Sequence, residues 1–300
     1  MKRVVFCVFL IFLCSTTAAG CSTSPVTSPE ETFVPVWSEK WTAPQNLLDF
    51  TEKAELMEHG GGRLLSMAHR ADHVYYPENS LEGVLSCLYM GVDVVELDVR
   101  ITKDNILVLS HDSTLTRCTN VKSVKMEKPG ELPVSDSIRD WTFGELCSLR
   151  LLSGTQKVTE YKIPKLEDAV RACSGKMMIL LDKMDEAAND AGMTEQELEE
   201  SFLEPILQKF DSTPSCVKGW HFGTENMAVL GEYAPYLHDE IALKRNREYR
   251  EKCVQASTLN WKMDKKEVWA DMDSAGIDLI MTDSPLELVR YIAETYFDID

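Results

Sequence analysis

From Leu64 onward, apolar positions along the chain alternate between two rhythms. Short apolar runs at Leu64–His69, Val92–Val99, Ile106–His111, Met177–Asp182, Cys216–His221, Glu240–Leu243, Cys253–Leu259 and Asp278–Thr282 predict strands. Amphipathic stretches at Leu81–Met90, Glu167–Cys173, Thr194–Lys209, Met227–Ala234, Lys265–Ala275 and Leu286–Tyr296 predict helices between and after them. A short helix is also predicted from Gln45 to about Glu58, ended by Gly60-Gly61-Gly62. Only a few residues (ITKDN) join the second run to the third, too few for a helix. An insertion of about 112–164 follows the third run. Strands alternating with helices are the pattern of a parallel α/β fold, and eight strands in roughly 240 residues predict a TIM (β/α)8 barrel. The open-sheet alternative lacks its G-x-G-x-x-G turn, and the triple glycine precedes a strand rather than following one.

The first residues follow a different pattern. Lys2 and Arg3 precede an apolar run, Val4–Leu13, that is shorter than the roughly 20 residues a spanning helix needs. Ala18-Ala19-Gly20-Cys21 then resembles a lipobox, in which cleavage precedes a cysteine that carries lipid. A Ser/Thr/Pro-rich segment follows, as suits a tether. The expected organisation is a signal peptide over 1–20, a tether over 21–44 and the barrel over 45–300. The expected location is outside the cytoplasm, periplasmic or at the cell surface, held to a membrane through lipid on Cys21. A plain secretory cleavage site with an incidental cysteine is the alternative.

Composition narrows the partners. An apolar fraction of 44% allows a large core. The formal net charge is −18 and becomes −20 if Lys2 and Arg3 are removed, since no Asp or Glu precedes Cys21. Such a surface repels nucleic acid, so no nucleic-acid partner is expected, and nothing in the sequence predicts a protein partner. A phosphate-bearing ligand would need a local positive centre. Beyond Cys21, six widely spaced cysteines include no C-x-x-C pair of the kind used in zinc or redox sites, and their disulfide state stays open.

In a TIM barrel, chemistry sits at the C-terminal ends of the strands, so polar residues closing apolar runs are the candidates. His69-Arg70 closes the first run, and His111 closes the third. Glu96 and Asp98 lie two apart in VVELDVR and share one strand face. Asp182-Lys183 closes the fourth run. Buried carboxylates are costly without a cation, and Glu96, Asp98 and Asp182 form an all-oxygen set suited to a hard divalent ion, Ca²⁺ or Mg²⁺, rather than zinc. Trp261, after the seventh run, is a candidate surface for packing against a glycerol or headgroup. His59, His73 and His238 are read as structural, and His221 as a polar residue at the end of the fifth run.

The motifs His69-Arg70, Pro77-Glu78-Asn79-Ser80, Glu96-Leu97-Asp98-Val99, Thr102-Lys103-Asp104 and His111-Asp112 resemble, in order and spacing, the signature of the glycerophosphodiester phosphodiesterases. Arg117, Thr119-Asn120, Ile163-Pro164 and Thr282-Asp283-Ser284-Pro285 extend the resemblance over about 64–292. It implies a TIM barrel with a small insertion and hydrolysis of a glycerophosphodiester to glycerol 3-phosphate and an alcohol. It also implies metal ligands at Glu96 and Asp98, catalytic histidines at His69 and His111, phosphate contact through Arg70, and a supporting role for Glu78. Two departures stand out. The family's metal-binding Glu and phosphate-binding Lys are separated by one residue on the fourth strand, whereas Asp182 and Lys183 are adjacent. The glycine that usually follows His-Arg is Ala71. Two rival functions remain: phospholipase C-like cleavage of a phosphoinositide on a similar barrel, and a headgroup- or glycan-binding surface lipoprotein without turnover.

Overall fold

Alternation within each strand decides which side chains enter the centre of the molecule. The computed structural model describes residues 33–59, 62–211, 216–218, 227–229, 255–259, 264–274 and 276–297. Residues 34–300 make up one compact unit and 1–33 another; the expected signal segment and Cys21 lie outside the described residues.

In chain order the elements are α1 (Gln45–Leu48), α2 (Phe50–His59), β1 (Leu65–Ala68), α3 (Leu81–Met90), β2 (Val94–Ile101) and β3 (Leu107–Leu109). The insertion carries α4 (Val121–Glu127) and α5 (Phe143–Leu146). Then come α6 (Leu166–Cys173), β4 (Met178–Asp182), α7 (Met184–Ala191), α8 (Glu195–Leu198) and α9 (Glu204–Lys209), the last two joined by a π turn. Strands β5 (Cys216–Lys218), β6 (Met227–Val229) and β7 (Gln255–Leu259) precede α10 (Lys266–Ser274), β8 (Leu279–Thr282) and α11 (Pro285–Phe297).

The strand path is β5-β4-β2-β1-β8-β7-β6, with every neighbouring pair parallel. The fold is a TIM barrel of the α/β class. Leu65, Met67, Val94, Met178, Leu180, Leu279 and Met281 form its inner apolar layer. The intervening residues, among them Ala68, Val95, Leu97, Ile179 and Ile280, belong to a second cluster shared with the surrounding helices, including Val84, Leu166 and Val289. Each fully buried Leu or Met contributes about 1.5–3 kcal/mol, so both faces of the strands are held by apolar packing.

Two predicted elements differ from the structure, and one helix was not predicted. Ile106–His111 was expected as a barrel strand, but β3 pairs antiparallel with β2, with Val99 opposite Leu109. Thr102 N–H donates to the Ile106 carbonyl and Asn105 takes a positive φ of 59°, closing a tight hairpin. Met227 begins a strand rather than the predicted helix. Helix α7 carried no clear periodic signal, since only Met184, Ala187 and Ala188 of it are buried. The predicted strand Glu240–Leu243 lies outside the described residues.

The expected tether boundary at residue 44 also shifts. Trp37 is 1% exposed, packs in the main core, and donates from Nε1 to Ser86 Oγ at 2.8 Å. Packed chain therefore begins by Trp37. At the opposite end of the barrel from the strand C-termini, Phe50 and Leu56 of α2 pack against the inner layer. Lys53 donates there to the carbonyls of Gly91 and Val92, and Arg63 forms a two-pronged pair with Asp93.

Candidate active site

Following the inner face up each strand leads from the apolar layer to a polar rim. Leu65 and Met67 are succeeded by His69, Val94 by Glu96 and Asp98, Met178 and Leu180 by Asp182, and Leu279 and Met281 by Asp283. Register places Asp98 directly beside Asp182 on the neighbouring strand. One carboxylate oxygen from each of Glu96, Asp98 and Asp182 lies within 4.8 Å of the others. Burial, followed by the charge of Asp98, raises the Glu96 carboxyl well above its ordinary range, and burial likewise raises Asp98. Glu96 Oε2 accepts from the Arg70 backbone N–H at 2.8 Å. Asn79 brackets Asp98, donating to its Oδ2 at 2.8 Å and accepting from its backbone N–H at 3.0 Å. This oxygen-only trio, with Glu96 and Asp98 buried and Asp182 half-buried, fits a divalent cation.

Adjacency of Asp182 and Lys183 is resolved by the backbone. The strand ends at Asp182, and Lys183 turns into the left-handed region, φ 63°, to start α7. Its N–H donates to Asp182 Oδ1 at 2.7 Å, while Nζ pairs with Glu186 at 3.0 Å. The structure thus places the Lys183 ammonium on α7's own carboxylate, whereas Asp182 joins the acidic trio.

His111 reaches the same rim by a different route. β2 runs past the rim to Ile101, and β3 returns along it, so that Ser110 N–H bonds the Asp98 carbonyl at 3.0 Å. Arg100 donates to the His111 carbonyl and pairs with Glu186 at 2.8 Å, bracing that return. Each of the two histidines has its own aspartate on Nδ1. His69 Nδ1 lies 2.7 Å from Asp283 Oδ1, and His111 Nδ1 lies 2.7 Å from Asp112 Oδ1. Such a partner fixes the tautomer and the orientation of the ring.

Between the histidines runs a chain of ion pairs. Arg117 grips Asp112 through Nε at 2.7 Å and Glu78 through both terminal nitrogens, at 2.8 and 2.6 Å. Its hydrogen bond holds the Asp112 carboxyl down to about 2. Burial opposes ionisation of Glu78, but the Arg117 bonds and charge, with Arg70, hold it below the ordinary range. Arg70 lies 3.5 Å from Glu78 through one terminal nitrogen and 3.5 Å from Asp98 through Nε, a buried nitrogen without a hydrogen-bond acceptor. Ser80 caps α3 by accepting from Gly83 N–H, which keeps Glu78 and Asn79 in the loop at the rim.

His69, Arg70, Glu78, Glu96, Asp98, His111 and Asp182 are thus brought to one rim. Trp261, His221 and His238 lie outside the described residues. His73, read from sequence as structural, stands beside the site: its ring meets His69 edge-on at 6.0 Å, and Nε2 lies 3.5 Å from Asp283. Sequence reasoning assigned no role to Asn79, Asp112 or Asp283. The alternation Leu279, Met281, Asp283 carried the signal for the last of these.

Known proteins resemble this chain in sequence and in fold. A glycerophosphodiester phosphodiesterase of Caldanaerobacter subterraneus is 28% identical over 255 residues, covering 77% of this chain and 98% of its own. A crystal structure of a putative glycerophosphoryl diester phosphodiesterase from Silicibacter pomeroyi superposes with a TM-score of 0.60 at 17% identity, over 81% of this chain and 98% of that one. An Oleispira antarctica phosphodiesterase, solved with its product sn-glycerol 3-phosphate, superposes with a TM-score of 0.51 at 16% identity, over 77% and 97%. At those identities the two structures speak for the fold. Residues 69–221, 153 of 300 and so just over half the chain, match the Glycerophosphoryl diester phosphodiesterase family, and the chain belongs to that family.

Proposed function

We propose that this phosphoric diester hydrolase cleaves glycerophosphodiesters to glycerol 3-phosphate and an alcohol, using a divalent cation and two histidines. The observation that carries the reading is the meeting, at one rim, of a largely buried oxygen trio and two aspartate-backed imidazoles. Glu96, Asp98 and Asp182 are the residues that would hold the cation, and members of the family generally use a divalent metal. When bound, the ion supplies Lewis-acid stabilisation of phosphoryl charge. The product seen in the Oleispira enzyme accords with the expected phosphate product.

The chain's own groups divide the remaining work. Arg70, with a buried Nε lacking an acceptor, orients a phosphate oxygen. One of His69 and His111 accepts the proton of the nucleophile at Nε2, and the other delivers a proton to the departing alkoxide, with one water consumed overall. Asp283 and Asp112 hold the two rings and stabilise whichever imidazolium forms. Arg117 and Glu78 keep the His111 side of the site registered to Arg70.

The test is hydrolysis of glycerophosphocholine and glycerophosphoinositol by the mature domain with Ca²⁺, with Mg²⁺ and with chelator, following glycerol 3-phosphate release. Metal-dependent release is expected, and release that persists in excess chelator would sink the metal assignment. We also propose export and lipidation at Cys21, consistent with the lipobox-like Ala18-Ala19-Gly20-Cys21. Labelling by fatty acid in cells should disappear in Cys21→Ser. Among the described residues no helix is long and apolar enough to cross a membrane.

A further inference from the structure

Two residues at the end of β8 hold His69 from both sides. The His69 backbone N–H donates to the Thr282 carbonyl at 3.0 Å, and the ring Nδ1 lies 2.7 Å from Asp283 Oδ1. The aim of the imidazole therefore depends on how firmly Thr282 and Asp283 are themselves fixed.

Their anchor comes from a neighbouring segment. Strands β7 and β8 run side by side, with Leu259 opposite Met281, and Asp264 lies beyond β7, just before α10. This half-buried carboxylate accepts from Thr282 Oγ1 at 2.5 Å through Oδ1, and from the Asp283 backbone N–H at 2.9 Å through Oδ2. Thr282 Oγ1 in turn accepts from Ser284 N–H at 2.9 Å, so its own proton is committed to Asp264. One side chain thus fixes the hydroxyl of residue 282 and the main chain of residue 283.

The brace calls for an acid. Both partners are donors, and a carboxylate gives each its own acceptor oxygen. An amide has one oxygen and would turn an NH₂ group on the second donor. The acid stands there at a cost, since burial raises its carboxyl above the ordinary range against the pull of both hydrogen bonds. The other imidazole is steadied differently: Arg117 grips the carboxylate of Asp112 itself. On the His69 side the grip falls on a hydroxyl and the main chain.

Resting on the two-histidine function proposed above, we propose that Asp264 is a positioning residue for the reaction. It holds Thr282 and Asp283 in the geometry that aims the His69 imidazole, and it acts only through them.

The experiment places Asp264→Asn in wild type and in a His69→Ala background. The readouts are kcat and KM with metal present, on whichever of glycerophosphocholine and glycerophosphoinositol turns over faster, with rates scaled to the folded fraction by circular dichroism. In wild type the substitution should lower kcat about ten- to hundredfold, as misplacing a reacting group does, with KM changed by less than about twofold. In the His69→Ala background it should lower kcat further by less than about threefold, because the group it aims is gone. Equal losses in both backgrounds, or a loss that vanishes on scaling, would make Asp264 a general support of the fold and overturn the inference. Should Asp264→Asn not fold, Thr282→Val and Thr282→Ser replace it. The valine variant, lacking the hydroxyl, should lose several-fold more kcat than the serine variant, and equal values overturn the inference. If wild type turns over neither diester, the proposed function falls, and proton NMR then decides the brace. The low-field resonance of His69 Nδ1–H, assigned by its loss in His69→Gln, should shift or broaden in Asp264→Asn. Its absence from wild type, or its persistence unchanged in the variant, overturns the inference.

Discussion

Asp93 and Glu96 stand three residues apart on the same stretch of chain, both buried, at opposite ends of the barrel, and their carboxyls titrate in opposite directions. Burial works against charge on both. Asp93 overcomes it because Arg63 grips both its oxygens at 2.7 and 3.1 Å, Ser66 donates twice at 2.8 and 3.0 Å, and Lys53 lies 3.8 Å away. Its carboxyl is held below the ordinary range. Glu96 has the Arg70 N–H, and Asp98 as a like-charged neighbour. Where a chain neutralises its own buried charge, the cluster holds the fold together. Where it leaves the charge uncompensated, the cluster is built for something that arrives from outside.

Substitutions at the two ends should therefore separate activity from stability. The largest effect is expected for Asp98→Asn, with turnover falling about 10³-fold while the barrel folds, checked by hydrolysis rate beside circular dichroism. Asp93→Asn should do the reverse. It leaves Arg63 and Lys53 unbalanced, at a cost of about 3–5 kcal/mol in urea unfolding, with kcat retained in the folded fraction. If Asp93→Asn instead lost turnover at full stability, the division between the two ends would collapse.

Lys53 sharpens the comparison through pH. Burial brings its ammonium down to about 8 from an ordinary 10.5, against the pull of Asp93. Below pH 8 both folded and unfolded chains carry the proton. Between 8 and 10.5 only the unfolded chain does, so stability rises with pH by about 2–3 kcal/mol across that window and then levels. Urea midpoints of wild type and Lys53→Met at pH 7.5 and 10.5 check this, since the variant should lack the rise. The smallest effect is expected for Glu96→Gln in chelator. Removing an uncompensated charge should stabilise the metal-free protein by about 1 kcal/mol, and unchanged or lower stability would mean that Glu96 is already balanced within the chain.

Much of this arrangement was legible in the sequence because strand alternation is rigid. Once Val94 faces inward, Glu96 and Asp98 must do so too, and a polar pair there marks the mouth. The same rule would have identified Asp283. The third apolar run was misplaced because apolar content does not state direction. Its connection did: a parallel crossover needs a dozen or more residues, and ITKDN permits only a hairpin. Lys183 was harder to place, because a left-handed lysine at a strand end leaves no mark in hydropathy. The place of His73 beside the site comes from the fold of the β1–α3 loop, which turns its Nδ1 back onto the His69 carbonyl at 2.9 Å.

That loop contains Arg70 and Ala71, two successive non-glycine residues at φ 53° and 63°. An L side chain in this conformation costs about 1–2 kcal/mol, and the penalty falls on the segment that aims His69 and the Arg70 guanidinium. Ala71 is wholly buried, its methyl packed in the main core, so glycine there would relieve the backbone and open a void together. The rim behaves as a sprung catch: tertiary packing holds it cocked against its local preference. Anything that loosens the surrounding core should therefore blunt the aim of His69 and Arg70 before it melts the barrel.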